Sequence, residues 1–435
     1  MAQINDSVLI IGAGVFGIST AYHLLVRGFT DVTVIERAET LPPADGTSND
    51  FNRIVRTSYG DPFYAKLAHE AIQSWKNREL FGDSYQESGV LVLGSTNSYT
   101  EQSYTSDAAL GLRLKQLKNA DAIRSIFPDG DKVGSFDKIT GYLNLDGGWA
   151  HAANGVSALT AKVIQLGGNV LPGKTVSELL KENGKTIGVQ CKDGSSFRAK
   201  YTVVATGAWT PSTFPELNLQ EKFVATGQCV TMVQLTPEEA KTYKNIPVVL
   251  DFDSGFYCFP PSADNIVKMA IHSRGYIHTK DAISTPRTVV SDGEDGLRIP
   301  KADLNEIRSR FKEVFPELAH KPLLRTRLCW YTDTQDGDWV IGPHPKDSAL
   351  IFATAGNGHA YKASSTFLPV IGRLVADVPR RDKWNLPWPK NLHLIAKWIT
   401  VTIQELVRKR QELDLGQLCT SEDLARYRVE RQHRN

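Results

Sequence analysis

VLIIGAGVFGISTAYHLLVRGFTDVTVIE, residues 8 to 36 of a 435-residue chain, decides how the rest is read. Val8 to Ile11 form an apolar run that enters Gly12-Ala13-Gly14-Val15-Phe16-Gly17. Ile18, Ala21, Leu24 and Leu25 then recur at helical spacing as far as Gly28. A second apolar run, Val32 to Ile35, ends in Glu36. Strand, glycine turn, helix, strand and acid together are the fingerprint of a dinucleotide site. Gly12 allows the tight turn, Gly14 lets backbone approach a pyrophosphate, and Gly17 lets helix and strand pack closely. The helix N-terminus offers N–H donors to phosphate, and Glu36 is placed to accept from ribose hydroxyls. This stretch alone does not separate FAD from NAD.

Composition narrows the class. Apolar residues make up 41% and charged residues 23%, ordinary for a globular chain, and the length suits two interwoven domains. Fifty Lys and Arg against 48 Asp and Glu give no basic surface for nucleic acid or membrane. No apolar run reaches the roughly 18 residues of a membrane span. The MAQINDS opening leaves no room for a signal peptide, and the closing QHRN is not of the peroxisomal Ser-Lys-Leu type, so a cytoplasmic protein is expected. Cys191, Cys229, Cys258, Cys329 and Cys419 are scattered without metal-ligand spacing; a reducing compartment and no metal site are expected.

Two further glycine turns follow apolar strands. YTVVATGAWTP, residues 201 to 211, ends in Ala205, Gly207 and Trp209, and a run from Ala349 enters Gly356-Asn357-Gly358-His359-Ala360-Tyr361-Lys362. Ligands of α/β sheets bind at such strand ends. The three turns span nearly the whole chain, which fits a nucleotide domain interrupted by a second domain. The expected fold is α/β: an interrupted Rossmann-like domain over residues 1–85, 145–215 and 325–395, with a largely antiparallel α+β substrate domain over 86–144 and 216–324. A helix from about 393 to 410 and a charged surface arm follow within 396–435. Asn52-Arg53-Ile54-Val55-Arg56 comes one loop after the first turn, and the two arginines share a face if that segment is helical. Residues 266 to 272 alternate, with Lys268 and His272 on one face.

These markers, with Gly147-Gly148-Trp149-Ala150 and Arg327-Leu328-Cys329-Trp330-Tyr331-Thr332-Asp333-Thr334, resemble the monomeric sarcosine oxidase family of FAD-dependent amine oxidases in the D-amino acid oxidase superfamily. Its fungal relatives include fructosyl amino acid oxidases (amadoriases) and saccharopine and pipecolate oxidases. The resemblance runs from about residue 7 to about residue 378. It implies FAD held covalently by a thioether from Cys329 to the 8α-methyl carbon. It also implies cofactor contacts from Gly12, Gly14, Val15, Phe16, Gly17, Glu36, Arg37, Ser48, Ala205, Gly207, Trp209, Gly356, Gly358, His359 and Lys362. Arg53 matches a basic residue over the flavin, and Lys268 the lysine that promotes reaction with O2. Arg56 and Lys362 match the pair that clamps a substrate carboxylate. Tyr331 matches a pocket tyrosine, and Asn49 stands nearest to a family histidine absent here. His272 stands where sarcosine oxidases carry His and amadoriases an acid, and Arg53 where amadoriases carry Lys. Both favour an unglycated secondary amine on an α-amino acid, oxidised to the imine with O2 reduced to H2O2 by a monomer. A deglycating amadoriase and a dehydrogenase using another acceptor are the alternatives. Ala363 to Phe367 is longer than in relatives and bears on the placement of Lys362.

Overall fold

The computed structural model describes residues 3–95, 98–128, 132–358, 364–378, 407 and 410–425. His359, Lys362 and the helix expected over 393 to 410 lie outside these, apart from Val407 and Arg410. Val8–Ile11 is fully buried because Val8, Leu9, Ile10 and Ile11 sit inside a sheet covered on both faces. That six-stranded sheet runs Val340–His344, Asp347–Thr354, Tyr201–Val204, Val8–Ile11, Val32–Ile35, Asn169–Leu171. The pairs are parallel except at the Val340–His344 edge. Ile11 lies level with both Ile35 and Val204, so the first two turns open at one edge. Helix Val15–Val26 packs Ile18, Ala21, Leu24 and Leu25 into the core, as its spacing predicts. Gly17 has no room for a side chain, since a Cβ there would stand 1.8 Å from the Gly12 carbonyl oxygen. Gly12 adopts φ +108°, open to glycine and costly for any other residue.

A second, larger sheet joins Val224–Gln234, Ile266–Ile271, Phe256–Cys258, Val248–Asp251, Val90–Leu93, Gly141–Asn144 and Leu114–Leu117. Strands from the 90–144 stretch thus continue the sheet of the 224–271 stretch, with Val90–Leu93 parallel to Val248–Asp251. The long strand Leu323–Asp333 also belongs here, paired antiparallel with Val224–Gln234 from Val224↔Asp333 to Val233↔Leu323. Lys301–Val314 covers this sheet with Leu304, Ile307, Phe311 and Val314.

Arg53–Val55 is a strand, paired with Gly148–Ala150, so the condition under which the two arginines would share a face is not met. Three residues apart on a strand face opposite ways, so Arg53 and Arg56 part company. The β-branched Ile54 and Val55 between them explain the choice. The described part of the tail is also no surface arm. Gln411–Glu412 pairs with Tyr276–Ile277, and Leu413, Leu418 and Cys419 are buried against the larger sheet. Arg410 pairs with the buried Asp333 at 2.9 Å. Apolar residues hidden among charges drive that docking. No helix among the described residues is long and apolar enough to cross a membrane.

Candidate active site

A long cavity follows the open edge of the parallel sheet. Its wall takes in Gly12, Gly14, Val15 and Phe16 of the first turn, then Glu36, Arg37 and Ser48. It continues past Ala205, Gly207 and Trp209 to Tyr331, Gly356 and Gly358, so all three glycine turns face one groove. Glu36 is 7% exposed; Oε2 accepts from the Ala13 N–H at 2.9 Å and Oε1 from the Ala38 N–H at 3.1 Å. Two backbone donors fix this carboxylate at the groove, with acceptor capacity left for ribose hydroxyls. Ser48 caps the first turn by accepting from the Val15 N–H at 3.1 Å. Arg37 stacks over the Trp209 ring at 4.4 Å and pairs with Asp45 at 2.8 Å, closing one side. An elongated groove lined by a helix N-terminus, backbone turns and one anchored carboxylate fits FAD in extended form. Gly17 stays behind the wall, where it sets the helix against the turn.

A second cavity, about 380 Å³, adjoins the first, with Gly358 on both walls. Arg56, Tyr59, Phe252 and His272 line it. The Arg56 guanidinium lies 4.2 Å over the Tyr59 ring and 5.4 Å over Phe252, and its Nη1 is buried without a hydrogen-bond partner among the described residues. Such a group is costly to bury alone and is placed to receive an anion. The Tyr331 and His272 rings stand 6.2 Å apart, and a Cβ at Gly358 would come within 2.8 Å of Tyr331. Burial pushes the Tyr331 phenol well up, so it stays a neutral donor. His272 follows the end of strand Ile266–Ile271 and is exposed, whereas Lys268 on the same face is 1% exposed.

Lys268 belongs to a charge cluster instead. Its Nζ donates to Asp50 Oδ2 at 2.8 Å and to the Asn52 carbonyl. Arg53 and Arg327 reach the same carboxylate oxygen at 3.0 and 2.6 Å. Arg53 Nη2 also donates to Cys329 Sγ at 3.2 Å, so the cysteine expected to hold flavin sits beside a cation. Burial lowers the Lys268 pKa to about 7, partly opposed by Asp50 and reinforced by Arg53 and Arg327. For Asp50 burial acts upward, but Arg327, Lys268 and Arg53 override it and hold the carboxyl well below its ordinary range.

Asn49 is not among the described residues lining either cavity; its carbonyl accepts from Arg327 at 3.5 Å. The stretch expected to bear on Lys362 contains the helical turn Ser364–Phe367. Thr366 is fully buried there; its hydroxyl accepts from the Arg56 N–H at 3.3 Å and its carbonyl from Trp75 at 3.2 Å. Thr366 therefore buttresses the backbone at Arg56, just past strand Arg53–Val55. Asp50 and the aromatic pair around Arg56 were missed at the sequence level. Asp50 meets Lys268 and Arg327 across more than two hundred residues of chain, which no local pattern reports.

The model of the DAO family, FAD dependent oxidoreductase, matches residues 7–378. The chain belongs to this family. An L-saccharopine oxidase of Schizosaccharomyces pombe is 32% identical over 413 residues, spanning 88% of this chain and 93% of that protein. A monomeric sarcosine oxidase of a Bacillus species is 25% identical over 375 residues, spanning 84% and 91%. Among solved structures, fructosyl peptide oxidase from E. terrenum matches with a TM-score of 0.79 at 28% identity, covering 87% of this chain and 90% of the other. Amadoriase II of Aspergillus fumigatus, a deglycating fructosamine oxidase, matches with a TM-score of 0.73 at 29% identity over 87% of each chain. This DAO-family chain is thus an FAD-dependent oxidoreductase with the mixed α/β fold that the glycine turns announced.

Proposed function

We propose that this chain oxidises a secondary amine carried on an α-amino acid to the imine, with O2 reduced to H2O2. The observation that carries the reading is Arg56, a partly buried guanidinium with a nitrogen unpartnered among the described residues, in a cavity that meets the FAD groove at Gly358. Arg56 binds the substrate carboxylate, and Tyr59 and Phe252 hold the guanidinium flat and dry. Lys362 is proposed as its partner. Tyr331 and His272 orient the amine, with the neutral phenol as donor or acceptor. The groove of Gly12, Gly14, Glu36, Gly207 and Gly356 would hold FAD, which would supply acceptance of a hydride equivalent from the carbon bearing the amine and delivery of two electrons to O2. Lys268 in its protonated form stabilises negative charge developing on oxygen, and Arg53 offers positive charge beside the isoalloxazine. Cys329 is proposed to carry the flavin as an 8α thioether, with Arg53 Nη2 held 3.2 Å from its Sγ.

The similarity to saccharopine and sarcosine oxidases supports a secondary amine; His272 supports it over a glycated one. A second reading, deglycation of fructosyl amino acids, rests on the amadoriase structures matched over 87% of this chain. The enzyme is proposed to act as a monomer. A peroxide-coupled screen of saccharopine, pipecolate, sarcosine and fructosyl amino acids tests the reading. Peroxide from the unglycated secondary amines is expected; peroxide from fructosyl amino acids alone would hand the assignment to the second reading.

A further inference from the structure

The cations of the cluster all converge on one oxygen. Asp50 Oδ2 accepts from Lys268, Arg53 and Arg327, while Oδ1 accepts from the Phe51 N–H at 2.9 Å and the Asp50 carbonyl from the Ala153 N–H at 3.0 Å. The carboxylate is therefore locked by its own loop before it meets any cation. Its side chain is 2% exposed and that of Lys268 1%. Three cations on one carboxylate leave net positive charge in a place where charge is poorly screened. Beyond Asp50, Lys268 also reaches the Asn52 carbonyl and Arg53 also reaches Cys329.

We infer that Asp50 is a positioning residue for the oxygen half-reaction: it holds Lys268 in place and keeps it charged against two neighbouring arginines. The inference rests on the oxidase reading of Lys268 given above. Arg53 from strand Arg53–Val55 and Arg327 from strand Leu323–Asp333 oppose that charge, and Asp50 favours it. Cys329 lies on the same strand as Arg327, and Tyr257 on Phe256–Cys258 faces Arg53, Cys329 and Asp50. His151 at the start of helix Ala152–Gln165 feels both Asp50 and Lys268. The rings of Phe51 and Phe259 lie 5.2 and 4.7 Å from Nζ. Without the carboxylate, burial and two arginines act on Lys268 unopposed, and the amine loses its proton at lower pH.

The test is Asp50→Asn, which keeps the shape and removes the charge, compared with Lys268→Met and the double variant. Reduced enzyme is mixed with O2 across the neutral pH range. The wild-type rate is expected to fall as pH rises through about 7. In D50N the fall is expected at least about one pH unit lower, making the reaction roughly fivefold to tenfold slower at neutral pH. The double variant is expected to be no slower than K268M alone. Melting temperature against pH gives a readout independent of turnover. Unfolded lysine stays protonated where folded Lys268 has lost its proton, so stability rises with pH above about 7. That rise is expected to begin at lower pH in D50N and to vanish in K268M. Should D50N fail to fold, Asp50→Glu retains the charge one methylene further out and is expected to fall between wild type and K268M. Superimposable wild-type and D50N profiles, or equal slowing by D50N with Lys268 absent, would overturn the inference alone. An O2 rate untouched by K268M would overturn the reading of Lys268 and this inference with it.

Discussion

Lys268, Arg56 and Cys329 each ask a different question of the same reaction. Replacing Lys268 by Met removes the cation proposed to serve the oxygen reaction; reoxidation is expected to slow by about 10²-fold, while anaerobic flavin reduction stays within about threefold. Stopped-flow measurement of the two half-reactions checks this, and equal slowing of both would contradict it. Arg56→Met is expected to raise KM by roughly two orders of magnitude, the loss of a charge-assisted contact to carboxylate, with flavin content unchanged. Cys329→Ser is expected to leave flavin bound yet released by acid, whereas wild-type precipitate stays yellow. Colour in the wild-type supernatant would remove the thioether. Much of this was legible residue by residue, because Cys329, Lys268 and Arg56 sit inside recognisable short motifs. Asp50 was not, since its meaning comes from partners supplied by two distant strands.

At the scale of elements, the glycine turns were the most readable feature. A strand of Val8–Ile11 type, buried on both faces, reads as an unbroken apolar run, and the required glycines mark where the chain turns. The Arg53–Val55 segment was less readable. Three residues are too few to show a period, and its partner strand Gly148–Ala150 lies in a separate glycine-rich return. The tail misled for a related reason: Leu413, Leu418 and Cys419 are isolated in charged surroundings, and only their common docking site makes them a core. Two changes probe these elements. Gly17→Val puts a branched side chain against backbone that cannot move aside, so loss of FAD binding and a fall in stability of more than about 3 kcal/mol are expected by denaturant titration. Gly358→Ala sets a methyl group against Tyr331, where the groove and second cavity meet. Raised KM with normal flavin content is the expected outcome, and loss of flavin would show instead that this turn serves the cofactor first.

Across the whole molecule, two sheets divide the labour. The parallel sheet brings three turns, far apart in sequence, to one groove edge, and the larger sheet carries Tyr331 to the groove wall and Lys268 and Cys329 into the buried charge cluster with Arg53. The C-terminal segment closes the back of the larger sheet through Arg410 and Asp333, with Thr226 also donating to Asp333 at 2.7 Å. Arg410→Met leaves that carboxylate buried without its cation and is expected to cost about 3 kcal/mol or more, read as a lowered melting temperature. An unchanged melting temperature would show that the tail merely rests there. The central claim is that this groove and cavity together oxidise an unglycated secondary amino acid at the expense of O2. The direct measurement is to mix the purified flavoprotein anaerobically with saccharopine, pipecolate or sarcosine, record the flavin spectrum, then admit air and assay peroxide. The account expects at least one of these to bleach the flavin and one equivalent of H2O2 to appear per flavin on reoxidation. A flavin bleached only by fructosyl amino acids, or reoxidised by an added acceptor but not by O2, would contradict it.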